Sequence, residues 1–175
     1  MTIRDILLAP DPRLTTRCEP VETIDGELGH VLDDMLETMY AAPGIGLAAP
    51  QIGVLKRFFV VDVGKEGAKN EEEVREPLFI INPEILERST TKSVYEEGCL
   101  SLPKQFGDVQ RSDKIELRYQ DRKGKKVDLA ADGMLARCIQ HEMDHLDGIL
   151  FVDHLSSLKR RMILRRMAKV KRTNS

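Results

Sequence analysis

The chain has 175 residues, of which 41% are hydrophobic and 32% charged, and its formal net charge at pH 7 is −2. Three widely spaced cysteines argue against a disulfide framework, no apolar stretch approaches the length of a membrane span, and the apolar run at 6–9 is too short for a signal peptide. We therefore expect one soluble, cytoplasmic domain over residues 1–175, with no membrane partner.

The first two thirds of the chain predict one helix followed by several strands. Apolar residues recur at intervals of three and four over 25–40, which predicts a helix. The segment 64–76 is rich in Lys, Glu and Gly and predicts a surface loop, and the sequence DRKG at 121–124 predicts a hairpin turn. Strands are predicted at 57–63, 78–86, 93–96, 114–120 and 126–130.

The last third predicts a helix over 132–147, a short strand at 149–152 and a final helix from Ser156. Asp132 is a suitable N-cap, and Gly148 stands where a glycine commonly ends a helix. Because turns connect the strands, we expect antiparallel pairing. The predicted class is α+β, with antiparallel or mixed sheets packed around the helix over 132–147 and with a C-terminal helix.

The segment 43–53 has two neighbouring glycines and no charged side chain, and it reads PGIGLAAPQIG. It contains G-x-G-x-x-A, but a nucleotide-binding loop of that kind follows a strand and begins a helix. Here a helical pattern comes first, and Pro50 prevents a helix from continuing, so we reject nucleotide binding. The small residues instead indicate a backbone that another group approaches closely. Gln51 is the one polar side chain, and it could bind a ligand or stabilise the loop.

The most informative stretch is HEMDH at 141–145. On a helix, His141 and His145 lie on one face, so both rings can bind one metal ion. Glu142 falls within the apolar arc of the same helix, where a carboxylate is costly unless it is paired or near a metal. From there it could take a proton from a water molecule at the ion. The alternative is a buried histidine pair satisfied by hydrogen bonds, with Glu142 bridged to an arginine.

A helical wheel places the neighbouring side chains as well. Met134 and Cys138 share the stripe of the two histidines, where they could line a binding pocket or pack in the core. Arg137 falls on the opposite, polar side, together with Ala136, Gln140, Asp144 and Asp147.

Two histidines leave a catalytic metal one protein ligand short. The third histidine position of the pattern HExxHxxGxxH holds Phe151, and no acidic residue follows Asp153. His154 comes after a predicted strand that leads away from the helix. Cys99 is the best upstream candidate, because the flanking glycine and proline allow an irregular backbone that could aim a thiolate. A small buried core cysteine is an equally good interpretation of Cys99.

Three segments together resemble the signature motifs of bacterial-type peptide deformylases, in the expected order. They are GIGLAAPQIG at 44–53, EGCLS at 97–101 and QHEMDH at 140–145. The resemblance implies a single catalytic domain over 1–175 that removes formate from the N-formylmethionine of newly synthesised polypeptides. It also implies one divalent metal ion, typically Fe²⁺, for which Zn²⁺, Ni²⁺ or Co²⁺ can substitute.

The resemblance also implies a role for each matched residue. The residues that match the family's metal ligands, with water in a fourth position, are Cys99, His141 and His145. Glu142 matches the general base and acid. The groups that match the stabilisers of the oxyanion are Gln51 and the backbone N–H of Leu100. Glu97 and Arg111 match a supporting ion pair.

The substrate side is less completely matched. Gly46 matches a position whose backbone meets the substrate, and the residues expected to contact the methionine side chain are Ile45, Met134 and Cys138. The segment 44–47 could form a tight wall that admits a formyl group and excludes a longer acyl chain. Phe106 stands where some relatives carry an arginine in the substrate groove, and Arg137 is expected at the rim instead.

Charge is unevenly distributed along the chain. The segment 156–175 holds eight Lys or Arg and no acid, which leaves a net charge of −10 on the other 155 residues. One interpretation is a packed terminal helix with a solvated basic face. The other is contact with ribosomal RNA phosphates, which the resemblance favours because deformylases act on chains that emerge from ribosomes. We expect a monomer.

Two other functions compete with deformylation. The first is another zincin-type metallopeptidase, which the absence of a downstream ligand and the presence of Cys99 disfavour. The second is a nucleic-acid-binding module with a structural metal, which would normally need four protein ligands where three are found.

Overall fold

Seven strands and three α-helices of 14 to 18 residues make up an α+β fold in the computed structural model, which describes residues 2–65 and 74–174. The helices are α1 (Gly26–Ala41), α2 (Gly133–Leu146) and α3 (Ser157–Asn174). The strands are β1 (Gly46–Ala48), β2 (Phe58–Val61), β3 (Leu78–Arg88), β4 (Lys92–Cys99), β5 (Leu102–Ser112), β6 (Lys114–Gln120) and β7 (Lys126–Asp132). The predicted class is confirmed, whereas most of the loop predicted at 64–76 lies outside the described residues.

The strands form two antiparallel sheets. Five of them pair in the order β1-β2-β3-β6-β7, and β4 and β5 form a separate two-stranded sheet. The predicted turn at 121–124 joins β6 to β7, and Gly124 N donates to Asp121 O at 2.9 Å. Every pair among these named strands is antiparallel, as expected for strands that turns connect.

Strand β2 explains how the larger sheet is covered on both faces. All four of its residues are buried. Phe59 and Val61 pack in one cluster with apolar residues of α2, whereas Phe58 and Val60 pack in another with α1. Because successive side chains of a strand point to opposite faces, an uninterrupted apolar run indicates a strand between two helical layers.

Helix α2 has close to the predicted bounds, and its C-terminal end is covered by the N-terminal segment of the chain. Asp132 occupies the N-cap position, although its side chain makes no capping hydrogen bond. Gly148 has φ 75°, and a Cβ there would lie 2.7 Å from the backbone C and O of Thr15. Cys18 N donates to Leu146 O at 2.8 Å, so residues 15–18 cover the end of the helix. Glycine is therefore needed at 148 both for the turn and for this close approach.

The side of α2 that was predicted to be polar is largely buried. Ala136, Arg137 and Gln140 are buried; Ala136 packs in the core cluster with residues of the larger sheet, whereas Arg137 and Gln140 bind residues of the β4–β5 hairpin. Gln140 Nε2 donates to Ser112 O at 2.9 Å, and Ser112 N donates to Gln140 Oε1 at 3.2 Å. The polar side chains thus bind strand backbone rather than water, and α2 lies between the two sheets.

Three further elements of the structure differ from the prediction. The predicted strand at 149–152 is wrong, since the chain forms a 3₁₀ helix at Phe151–His154. A short apolar run is buried in either conformation, so its composition could not distinguish them. Strands β1 and β5 were not predicted, because β1 has three residues within a Gly- and Pro-rich segment and β5 contains Pro103, Gly107 and the left-handed Lys104 (φ 62°).

Helix α3 packs on the second sheet through only some of its apolar residues. Ile163 and Met167 are buried in a cluster that includes residues of β5, whereas Leu158 and Met162 are 62% and 44% exposed. No helix in the described part of the chain combines the length and the apolar character that crossing a membrane requires.

Candidate active site

Two elements bring three metal-binding side chains together. Helix α2 carries His141 and His145 one turn apart, with ring centroids at 5.0 Å. Strand β4 ends at Cys99, whose Sγ lies 3.4 Å from His145 Nε2. The sulfur and one nitrogen of each ring all lie within 4.8 Å of one another. Since Zn–N and Zn–S bonds measure about 2.0 to 2.3 Å, this spacing suits donors that share one ion.

The two rings are held in different ways. His141 Nδ1 lies 2.9 Å from Glu97 Oε1, and because a carboxylate only accepts, this nitrogen is the donor. The Nε2 of that ring is therefore free to act as a ligand. Burial lowers the pKa of His145 well below its ordinary value, so this ring is neutral, as a metal ligand must be. Its buried Nδ1 has no hydrogen-bond partner among the described residues.

Glu97 lies at the centre of a buried ion cluster. Arg111 donates to both of its carboxylate oxygens at 2.9 Å, and Arg137 NH1 donates to Oε2 at 2.7 Å. Burial alone would raise the pKa of Glu97, but hydrogen bonds from His141 and Arg111 lower it well below its ordinary value. The carboxylate therefore stays ionised, and it keeps the His141 ring in one orientation.

Glu142 is buried beside the histidines, and no described residue forms an ion pair with it. The predicted alternative, in which an arginine bridges it, is therefore wrong within the described residues. Burial raises the pKa of Glu142 to about 7, although the charges of His141 and Arg111 act in the opposite direction. Its Oε2 has no hydrogen-bond partner in the described part of the chain. A buried, unpartnered carboxylate oxygen beside three ligand atoms indicates that another group belongs there.

Gln51 is buried, and its side-chain amide is fixed at both ends. Its Oε1 accepts from Ala48 N at 2.9 Å, while its Nε2 donates to Ser101 Oγ at 3.0 Å and lies 3.5 Å from Cys99 Sγ. The donor end therefore faces the candidate metal ligands. Leu100 follows Cys99 in the turn between β4 and β5, so its backbone is next to the same site.

A cavity of about 690 Å³ opens at this site, a volume typical of small-ligand pockets. The four residues predicted to contact substrate all line it, namely Ile45, Gly46, Met134 and Cys138. Met134 is 51% exposed, so it is not a core residue, whereas Cys138 is buried and belongs both to the core and to the cavity wall. Phe106 is 60% exposed at the cavity and lies against Gly98.

Several residues at the site were not predicted to be there. Ser101 orients Gln51, and Asp144 accepts from Arg111 NH1 at 2.6 Å and from His154 Nε2 at 2.8 Å. Arg137 was expected at the rim, but it is buried beneath Tyr95, with its guanidinium carbon 4.7 Å from the centre of that ring. The local signal for Ser101 is its place in the EGCLS motif. The contacts of Arg137 and Asp144 depend on the sheet that covers α2, which spacing alone does not indicate.

Known proteins share both the sequence and the fold. The family model described as polypeptide deformylase matches residues 3–161. The peptide deformylase of Rhizobium meliloti is 52% identical over 173 residues, which cover 99% of this chain and 97% of that protein. The one from Pelagibacter ubique is 49% identical, with coverage of 98% and 96%.

Solved structures agree with these relatives. The crystal structure of peptide deformylase from Ehrlichia chaffeensis has a TM-score of 0.91 and 40% identity, and the match covers 99% of both chains. The enzyme from Legionella pneumophila has a TM-score of 0.87 and 46% identity, with coverage of 99% and 98%. This chain therefore belongs to the peptide deformylase family, the metal-dependent hydrolases that remove the formyl group from the N-formylmethionine of newly made polypeptides.

Proposed function

We propose that deformylation takes place in the cavity beside α2, where Cys99, His141 and His145 hold one divalent metal ion. The observation that supports this proposal is the meeting of one sulfur and two imidazole nitrogens next to a buried, unpartnered carboxylate. Fe²⁺ is the expected ion, and Zn²⁺, Ni²⁺ or Co²⁺ should substitute. When bound, the ion supplies Lewis acidity, which lowers the pKa of water and polarises the formyl carbonyl.

The donor set favours a catalytic ion over a structural one. Structural zinc sites normally have four protein ligands, whereas catalytic sites keep a position open for water or substrate. Among the described residues, this group has three His, Cys, Asp or Glu donors. The competing interpretation as a nucleic-acid-binding module with a structural metal is therefore disfavoured.

Glu142 is the proposed proton carrier. A group whose pKa lies near the working pH is present in both protonation states, so it can accept a proton and later return it. Burial brings the pKa of Glu142 to about 7, which meets this condition. Hydrolysis of a formamide needs one proton taken from water and one delivered to the departing amine nitrogen. A single carboxylate at this position can do both.

Negative charge develops on the formyl oxygen during the reaction, and Gln51 and the backbone N–H of Leu100 are the proposed donors to it. The Gln51 amide is oriented in advance by Ala48 N and by Ser101 Oγ. Loss of one such donor typically lowers the rate by about 100- to 1,000-fold.

The wall opposite α2 is the proposed basis for selecting the formyl group. Gly46 has no side chain, and the Glu142 carboxylate occupies the space where its Cβ would be. A formyl group carries hydrogen where longer acyl groups carry carbon, so a close wall can admit one and exclude the others. The methionine side chain would then contact Ile45, Met134 and Cys138, which line the same cavity.

The basic helix α3 is proposed to contact ribosomal RNA. Its acid-free sequence and exposed arginines provide phosphate contacts, and such binding should weaken as salt rises. Arg165→Glu should weaken ribosome binding of the intact chain, whereas Lys126→Glu, a matched change at an exposed site on β7, should not. Binding that is absent, or that does not respond to salt, would contradict this part of the proposal. A monomeric state and a cytoplasmic location stay predictions.

Metal binding and formate release, measured on the same preparations, test the proposed centre. Protein freed of metal with a chelator should regain formate release from a formyl-Met tripeptide when Fe²⁺ is added without oxygen. Cys99→Ser, His141→Ala and His145→Ala should each lose metal and activity together. His30→Ala, an exposed histidine of α1, is the matched control. Full activity in the chelated protein, or stoichiometric metal in the three variants, would refute the assignment.

A further inference from the structure

Arg137 was expected at the rim of the site, but its side chain makes several polar contacts inside the protein. The side chain is buried, and its guanidinium donates to a carboxylate and to two backbone carbonyls. Its Nη1 donates to Glu97 Oε2 at 2.7 Å and to Val109 O at 3.1 Å, and its Nη2 donates to Ser93 O at 2.6 Å. These acceptors belong to β4 and β5, so Arg137 connects α2 to both strands of the second sheet.

Arg137 and His141 are one helical turn apart, and they bind the two oxygens of the same carboxylate. Arg137 holds Oε2 of Glu97, and His141 Nδ1 holds Oε1. Residues four apart on a helix lie on the same face. Glu97 therefore spans two successive turns of α2, and its position relative to the His141 ring depends directly on Arg137.

Charge balance gives Arg137 a second effect. Arg111 is shared between two carboxylates, because it also donates to Asp144. Without Arg137, one buried arginine would face both Glu97 and Asp144. With it, two guanidinium groups face two carboxylates, and Glu97 is held from two sides.

We propose that Arg137 is a positioning residue for deformylation. Through Glu97 it sets the orientation of the His141 ring, and through Ser93 and Val109 it fixes the strand that ends at Cys99 against the helix that carries both histidines. The inference rests on the proposed metal centre. According to this inference, Arg137 fixes the position of Cys99 relative to His141 and His145.

Three variants separate this role from its alternatives. Arg137→Leu removes all polar contacts of the side chain, and Arg137→Lys keeps the positive charge without the planar guanidinium group. Arg118→Leu is the control, at an exposed arginine whose ion pair with Asp128 is remote from the site. The readouts are Co²⁺ affinity with the visible spectrum of the bound ion, the separate values of kcat and KM, and the thermal midpoint.

The expected result is a loss of about 10- to 100-fold in Co²⁺ affinity for Arg137→Leu, with an altered Co²⁺ spectrum, a lower kcat and an unchanged KM. Arg137→Lys should recover part of the affinity, and Arg118→Leu should match the wild type. In a Glu97→Gln background the same Arg137 change should cost much less affinity, because both residues act on the same ring.

Two results would overturn the inference. A raised KM with unchanged Co²⁺ affinity and spectrum would make Arg137 a substrate contact, and a lower thermal midpoint with unchanged metal binding would make it a packing residue only. If Arg137→Leu does not fold, Arg137→Lys decides by the same readouts. A wild-type protein that binds no Co²⁺ and releases no formate would instead refute the proposed function itself.

Discussion

Replacing Gly46 by alanine tests how tightly the Glu142 carboxylate is held. A Cβ at this position would lie 2.5 Å from Glu142 Oε1 and 2.9 Å from Cys138 Sγ. The backbone of Gly46 is not in the left-handed region, so the substitution introduces a contact rather than backbone strain. Ordinary van der Waals contact begins at 3.4 Å, and the carboxylate must therefore move by about 0.9 Å.

A displacement of about 1 Å in a reacting group can lower the rate by about 100-fold, which is the loss we expect in kcat for Gly46→Ala. The three atoms nearest to the new methyl group belong to Glu142 and Cys138 and not to a candidate metal ligand, so Co²⁺ affinity should remain at the wild-type value. Gly26→Ala is the matched control, because a Cβ there meets nothing within 4 Å. Formate release and Co²⁺ titration are measured on the wild type, Gly46→Ala and Gly26→Ala. A kcat equal to that of the control would refute the argument that Gly46 leaves room for the Glu142 carboxylate.

Three further predictions concern single side chains. Glu142→Ala should keep its metal and lose about 100- to 10,000-fold in turnover, and near-normal turnover of the metal-loaded variant would contradict its role in proton transfer. Activity with Fe²⁺ should fall on exposure to air or peroxide, because Cys99 is an oxidisable ligand beside the ion; an iron form unaffected by peroxide would count against this. Burial raises the pKa of Cys18 to about 11, from 9.0. The unfolded chain then loses this proton at lower pH than the native protein, so the free energy of unfolding should fall between pH 9 and 11. Denaturant titrations of the wild type and Cys18→Ala should show a smaller fall in the variant, and equal slopes would refute the prediction.

The sequence predicted those parts of the fold that depend on local pattern. The apolar run within 57–63 predicted the strand β2, and the spacing of His141 and His145 indicated two rings on one helical face. Each of these features depends only on the residue pattern within a single strand or helix. For the same reason the bounds of α2 agree closely with the predicted helix over 132–147.

The remaining features depend on contacts between elements. Cys99 could not be separated from a core cysteine by spacing, since only the pairing of β4 with β5 brings its sulfur to the histidines. Gln140 was placed on the polar side because nothing in α2 itself signals a covering sheet, whereas the four-residue spacing to His141 does place Arg137 next to the histidine stripe. The residues that support the candidate ligands are therefore held by contacts between α2 and the second sheet, and the residue pattern of one helix or strand does not predict such contacts.

The N-terminal segment has a consequence for the moment at which the protein becomes active. Leu7 N donates to Gln51 O, Ala9 N donates to Ser101 O, and Cys18 N donates to Leu146 O, so residues made early contact parts of the candidate site and of α2 that are made later. No fragment that ends before α2 has the partners needed to complete the centre, and closing such long loops is slow compared with local folding. We therefore expect a newly synthesised copy to acquire activity in one late step, after its last helices have left the ribosome, rather than gradually as it grows.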